Sequence, residues 1–206
     1  DAESKSYAVK QQDFGLPAQE ARKVRPNVSL ISWAAQFGVP LAVRMAAHYV
    51  VTNVNVLGRV PMGDQIVQVA ARHFSVHPEQ RERMDRLLVS WDMGLSGVNL
   101  QEVPANNPQE PEMKVWRAFG MHQSHGTEFQ LPFYLESSGT QGAFVLLARL
   151  LEALEIGGLA LIDEFENDLH PHMMEPILDL FANPATNPHH AQLLFTCHAM
   201  EVLNLI

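Results

Sequence analysis

Residues 159–170 read Leu-Ala-Leu-Ile-Asp-Glu-Phe-Glu-Asn-Asp-Leu-His. An apolar run ends abruptly in two adjacent acids, Asp163 and Glu164. A buried parallel strand points its C-terminal end at the ligand crevice of an α/β sheet. Asp163 would there bind Mg²⁺, a hard cation that takes oxygen ligands and keeps several waters. Glu164 would polarise a water for in-line attack on a γ-phosphate. By itself the pair reads equally well as two exposed acids in a turn, because so short a pattern recurs by chance.

Two further groups stand near it in sequence. Ser137-Ser138-Gly139-Thr140-Gln141 immediately precedes a strongly apolar segment, Gly142 to Ile156. A helix N-terminus offers unpaired N–H groups and the positive end of its dipole, which suits an anionic phosphate. Gly139 would let the backbone approach closely, and Ser138 would donate a hydroxyl hydrogen bond. The same residues also suit a plain N-cap. His198 follows Leu193-Leu194-Phe195-Thr196-Cys197, read as another buried strand ending at the same sheet edge. A histidine there is placed to contact a γ-phosphate. Cys197 beside it raises a Cys/His nucleophile, but no glutamine or asparagine constellation completes one. His170, His172, His189 and His190 match neither a zinc-finger spacing nor a His-Glu-x-x-His pattern, and read as loop histidines.

The elements that must position these groups follow from periodicity. Asp1 to Pro26 carries Gly15, Pro17 and Pro26 and reads as a loop or connection. Asn27 or Ser29 caps a helix through Leu30, Trp33, Ala34 and Phe37. Pro40 opens a second apolar segment, Leu41 to Val51. Asp64 caps a third helix, and Pro78 opens a fourth with Met84, Leu87, Leu88 and Trp91 at helical spacing. The period then changes, giving strands at Val98–Val103, Lys114–Gly120 and Gly126–Glu136. In the last, Phe129, Leu131, Phe133 and Leu135 alternate with Glu128 and Gln130, and Pro132 marks an edge strand. Gly157-Gly158 ends the helix that begins near Gly142. A strand at 159–163, a helix from Pro171 to Phe181, a strand at 192–196 and a helix opening near His198 complete the chain. This alternation predicts a parallel α/β sheet covered by helices.

The bulk composition suits one globular domain with an inserted subdomain: 206 residues, 47% hydrophobic and 18% charged. No apolar run is long enough to span a bilayer, and Asp1 to Glu20 lacks the apolar core of a secretory signal. The single cysteine excludes an internal disulfide framework, and a cytoplasmic protein is expected. The formal charge of −9 argues against nucleic acid coating the whole surface. The cluster Arg22, Lys23 and Arg25 reads as a solvated loop.

The order of these groups resembles the second half of an ABC-type ATPase head, a P-loop NTPase fold. Ser137-Ser138-Gly139-Thr140-Gln141 looks like the signature motif, and Leu159 to Glu164 looks like the Walker B strand. Asn167-Asp168-Leu169-His170 stands where the D-loop would be, and His198 looks like the switch histidine. Glu-Ser-Ser-Gly-Thr-Gln and Ile-Asp-Glu-Phe-Glu-Asn-Asp-Leu-His-Pro resemble the AAA-15/AAA-21 group of overcoming-lysogenization-defect-type ATPases. Such proteins occur in abortive-infection, Septu-like and retron anti-phage systems. The motifs cover about residues 126–206, and the helical stretch before them resembles the family's inserted helical region more loosely. The implied organisation is a connecting segment at 1–26, a mainly helical insert at 27–104 and the C-terminal part of the head at 105–206.

The resemblance also implies roles. Asp163 would organise Mg²⁺, Glu164 would be the general base and His198 would contact the γ-phosphate. Ser137, Ser138, Gly139, Thr140 and Gln141 would bind an ATP held mainly by the opposite protomer, so a homodimer is implied. ATP-driven closure of that dimer would control an effector nuclease. Nucleic acid in the complex is left open, and no membrane is implied. Two other readings stand beside this one. They are a nucleotide-gated scaffold with little turnover, and a chromosome-maintenance or DNA-repair ATPase, which would need coiled-coil heptads absent from this sequence. The pattern departs from the family in two respects. No Gly-x-x-x-x-Gly-Lys-Ser/Thr occurs, so the loop that cradles the α- and β-phosphates is expected upstream or in a partner. His170 also replaces a common D-loop aspartate, and Gln11 or Gln12 is a weak match to a Q-loop glutamine.

Overall fold

The structure is a computed structural model that describes residues 14–47, 50–55, 58–60, 63–105, 112–167, 169 and 171–198. Asp168, His170, Gln11, Gln12 and the helix expected beyond His198 lie outside the described residues. The chain divides into two compact units, 1–49 and 50–206.

The first unit holds three short helices: α1 (Ala18–Ala21), α2 (Leu30–Gln36) and α3 (Pro40–Ala47). Ser29 caps α2 as expected, its hydroxyl accepting from the Ser32 N–H at 3.4 Å. Leu16, Ala21, Ala34, Val39 and Ala42 form a small core, and the Trp33 indole donates to the Glu20 carbonyl at 3.2 Å. The α1 turn was not expected in a segment read as loop.

The second unit begins with β1 (Val50–Thr52), inside the apolar segment read as running from Leu41 to Val51. The helix ends at Ala47, and the β-branched run Val50-Val51-Thr52 suits a pleated strand better. A short hairpin follows, β2 (Val54–Asn55) with β3 (Gly58–Arg59). Helix α4 (Asp64–Val76) has Gly63 as its N-cap, with Asp64 at the first helical position. Helix α5 (Pro78–Ser90) starts with proline, whose missing N–H costs nothing there. Strands β4 (Gly97–Pro104), β5 (Lys114–Ser124) and β6 (Thr127–Pro132) form an antiparallel sheet in that order. Pro132 is on an edge strand, as expected, and it ends β6. A 3-10 turn, Phe133–Leu135, replaces the rest of the expected strand. The alternation there does not give one buried face: Phe133 is buried, while Phe129 is 44% and Leu135 is 59% exposed.

Helix α6 (Ser138–Ile156) is the centre of the unit. It is buried nearly all round, which explains its continuous apolar composition. It packs against α4 and α5, and against β1 and β7 (Leu159–Ile162). Phe144 sits between Phe133 and Phe74, with ring centroids 4.5 and 5.3 Å away. Gly157 ends the helix at φ +70, and a Cβ there would lie 2.5 Å from the His189 carbonyl oxygen. Helix α7 (Pro171–Ala182) then leads to β8 (Gln192–Phe195).

Strands β1, β7 and β8 form a parallel sheet in that order, with β7 in the middle. The register pairs Thr52 with Leu161 and Ile162 with Phe195. All three strands therefore end at one edge, where Asn53, Asp163 and Thr196 follow. This is the expected parallel sheet flanked by helices. β8 differs from the buried strand expected: its residues alternate in exposure and Leu194 is 62% exposed. The cause is position, since β8 lies at the edge of the described sheet.

Because Phe144 anchors the start of α6, truncating it should be costly. Phe144→Ala is expected to destabilise the protein by about 3–5 kcal/mol. Urea unfolding at constant m-value checks this.

Candidate functional site

The strand ends build the site. Asn53 is buried and grips the backbone of Asp163 from both sides. Its Nδ2 donates to the Asp163 carbonyl at 2.8 Å, and its Oδ1 accepts from the Asp163 N–H at 2.8 Å. Thr196 holds the turn from β8. Its hydroxyl donates to Asp163 Oδ1 at 2.7 Å and accepts from the Glu164 N–H at 2.8 Å. Its backbone N–H donates to Ile162 at 3.0 Å, and its carbonyl accepts from Phe165 at 3.0 Å. The chain needs this support, because Glu164 has a left-handed backbone at φ +50. Such a conformation is uncommon for a residue with a long side chain and persists where surrounding contacts enforce it.

The two acids are therefore separated by role. The Asp163 carboxylate is fixed by Thr196. The Glu164 carboxylate has a different partner, its Oε2 accepting from Asn167 Nδ2 at 2.6 Å. Glu164 also borders a small cavity of about 20 Å³, bounded by Asn53, Ile162, Phe165 and residues of α6. That volume is enough for one water. Mg²⁺ is commonly held by one or two carboxylates together with substrate phosphates. Asp163 fits that mode. Among the described residues no group of three or more His, Cys, Asp or Glu side chains is arranged as a metal cage.

His198 follows β8 and is exposed. Its backbone N–H donates to Glu166 Oε1 at 2.7 Å. Burial pushes the Glu166 carboxyl up. The N–H groups of His198 and of Glu166 itself, the Cys197 thiol and the His198 charge outweigh it and hold the carboxyl below the usual range. The other oxygen, Oε2, is buried without a hydrogen-bond partner.

The serine-glycine turn opens elsewhere. Ser137 is the N-cap of α6: its hydroxyl accepts from the Thr140 N–H at 3.1 Å and lies 2.8 Å from the Thr140 hydroxyl. Thr140 is buried, and the Gln141 side chain donates to the Glu136 carbonyl at 2.9 Å. Ser138 is exposed and Gly139 is half-buried at the mouth of a cleft of about 710 Å³. Trp91, Asp92, Met93, Asn167 and His172 also line it. Asp163, Glu164 and His198 do not line this cleft. The structure thus brings Asp163, Glu164 and His198 to one edge and gives the turn 137–141 a separate opening, with Asn167 bordering the cleft and bonding Glu164.

Sequence reasoning missed Asn53, Thr196, Glu166 and the Trp91–Met93 wall. Thr196 carried a usable signal, a hydroxyl residue two positions before His198 at a strand end. Asn53 carried none, since its partner is 110 residues away.

A family model described as an AAA domain, putative AbiEii toxin, Type IV TA system, matches residues 24–204. The chain belongs to this family, and it is an ATPase-type AAA domain with a P-loop NTPase fold. It is also similar to a solved structure described as the SmcHead bound to the C-winged helix domain of ScpA, at 15% identity and a TM-score of 0.38. That similarity covers 68% of this chain and 42% of the solved one, so this chain spans less than half of that chain's length. No curated protein matches. Among the described residues no single helix is long and apolar enough to cross a membrane.

The Thr196 hydroxyl can be tested alone. Thr196→Val removes the acceptor for the Glu164 N–H and is expected to cost about 1 kcal/mol or more. Amide exchange at Glu164 should rise, while Thr196→Ser should behave as wild type. Equal protection at Glu164 in both variants would show that the hydroxyl does not hold the turn.

Proposed function

We propose that this chain supplies the signature, Walker B and switch parts of an ATP-hydrolysing head. The observation that carries this reading is the fixed turn at the end of β7. Asp163 and Glu164 leave the central strand together, and each carboxylate is held by its own partner, Thr196 and Asn167. Asp163 would hold Mg²⁺, which supplies charge neutralisation for a phosphoryl group. Glu164 would orient a water and accept its proton, next to a cavity sized for one. His198 would contact the γ-phosphate from the neighbouring strand end.

The separate cleft supports a second part of the proposal. Ser138 is exposed, Gly139 is half-buried, and both line a cleft that Asp163 and Glu164 do not line. Ser137, Thr140 and Gln141 serve by shaping the turn and the helix start. On this reading a nucleotide touching both sets is shared by two copies of the chain. ATP would then close a homodimer and hydrolysis would open it. The phosphate loop would come from another part of the protein or from a partner.

The finer reading is a cytoplasmic bacterial anti-phage complex in which this cycle controls an effector nuclease. The family's description as a putative AbiEii toxin of a Type IV TA system and the motif wording support it. The residues encode no nuclease.

In the full-length protein, Glu164→Gln keeps the shape and removes the base. Steady-state phosphate release should fall by about 100-fold or more, in line with loss of a general base, while ATP stays bound. Unchanged phosphate release would remove Glu164 from that role.

A further inference from the structure

We propose that Glu166 is a positioning residue for His198. The inference rests on the proposed role of His198 in the ATPase cycle. Its physical basis is the way the two turns at the sheet edge are joined. The Thr196 main chain and hydroxyl tie the end of β8 to residues 162–165. Beyond Thr196 the backbone leaves the ladder, and the hydrogen bond from the His198 N–H to Glu166 Oε1 holds it to the Walker B turn. The acceptor is a carboxylate, and a hydrogen bond to an ionised acceptor is roughly twice as strong as a neutral one.

Glu166 is an unusual choice for a merely structural acceptor. Its Oε2 is buried and lacks a donor, an arrangement that costs free energy and calls for an explanation. A threonine or asparagine would accept the same N–H without burying a second anionic oxygen. The carboxylate instead places a negative charge beside His198, close enough to interact electrostatically with it. Glu166 therefore acts twice on one residue: it holds the backbone at His198 and places a carboxylate beside it. Motion of the residues after Glu164, which include Asn167 bonded to the Glu164 carboxylate, would pass directly to the histidine.

The test uses Glu166→Gln and Glu166→Ala in the full-length protein. Amide exchange at His198 should accelerate about tenfold or more in Glu166→Ala, and less in Glu166→Gln, whose side-chain oxygen still accepts. Exchange at Leu147 in the centre of α6 should stay as in wild type, which separates a local effect from misfolding. With ATP as substrate, both variants should lower kcat about tenfold or more with KM changed less than about threefold. Unchanged exchange at His198 in Glu166→Ala overturns the positioning contact. Faster exchange with unchanged kcat overturns its role in turnover. If wild-type protein hydrolyses no ATP, the ATPase reading fails, while the exchange measurement still decides the contact.

Discussion

Three parallel strands ending in register is the constraint on which the site depends. Because Thr52, Ile162 and Phe195 lie at one edge, the next residues of each strand meet. Asn53 then fixes the main chain of Asp163, and Thr196 fixes its carboxylate. No single strand could do this. A carboxylate at the end of an isolated strand would sample many directions, and holding one direction costs side-chain entropy. Here the neighbours supply hydrogen bonds that offset it. They also hold Glu164 in a left-handed backbone that it would otherwise avoid.

The rest of the unit keeps that edge in place and creates a second opening. Helix α6 lies against the parallel sheet and presents its N-terminal turn to a different cleft. Its capping contacts are local, between Ser137 and Thr140. The antiparallel sheet reaches the same turn through His122, whose Nε2 is 2.7 Å from Glu136 Oε1, while Gln141 bonds the Glu136 carbonyl. Gly120 makes room there, since a Cβ at that position would run into the Glu136 carboxylate. The turn at 137–141 is thus set by the antiparallel layer, and the acids at 163–164 by the parallel one.

Much of this was legible in the sequence where a residue's type and its local pattern agree. The apolar run 159–162 ending in acids, the all-round apolar helix 142–156 and its glycine stop, and the edge strand marked by Pro132 all belong to this group. Short elements and long-range pairs were harder to read. Two of the three residues of β1, Val50 and Val51, sat inside an apolar stretch that Pro40 opens. The alternation through Phe129 and Leu135 signals a buried face only where another layer covers it; Phe133 packs against Phe144, while Phe129 and Leu135 stay exposed. Leu194 is exposed on β8, at the edge of the described sheet. Asn53 and Glu166 act through backbone partners, and a polar residue's backbone partner leaves no periodic trace in sequence.

The account's central proposal is that ATP joins two copies of this head, with Asp163 and Glu164 of one copy and Ser138 and Gly139 of the other on a shared nucleotide. Light scattering on full-length Glu164→Gln protein with and without ATP and Mg²⁺ tests it most directly. A doubling of mass that requires ATP, and that is lost when Gly139→Asp is added, is the predicted result. An unchanged mass at saturating ATP, or a dimer that forms equally well without nucleotide and with Gly139→Asp, would contradict it.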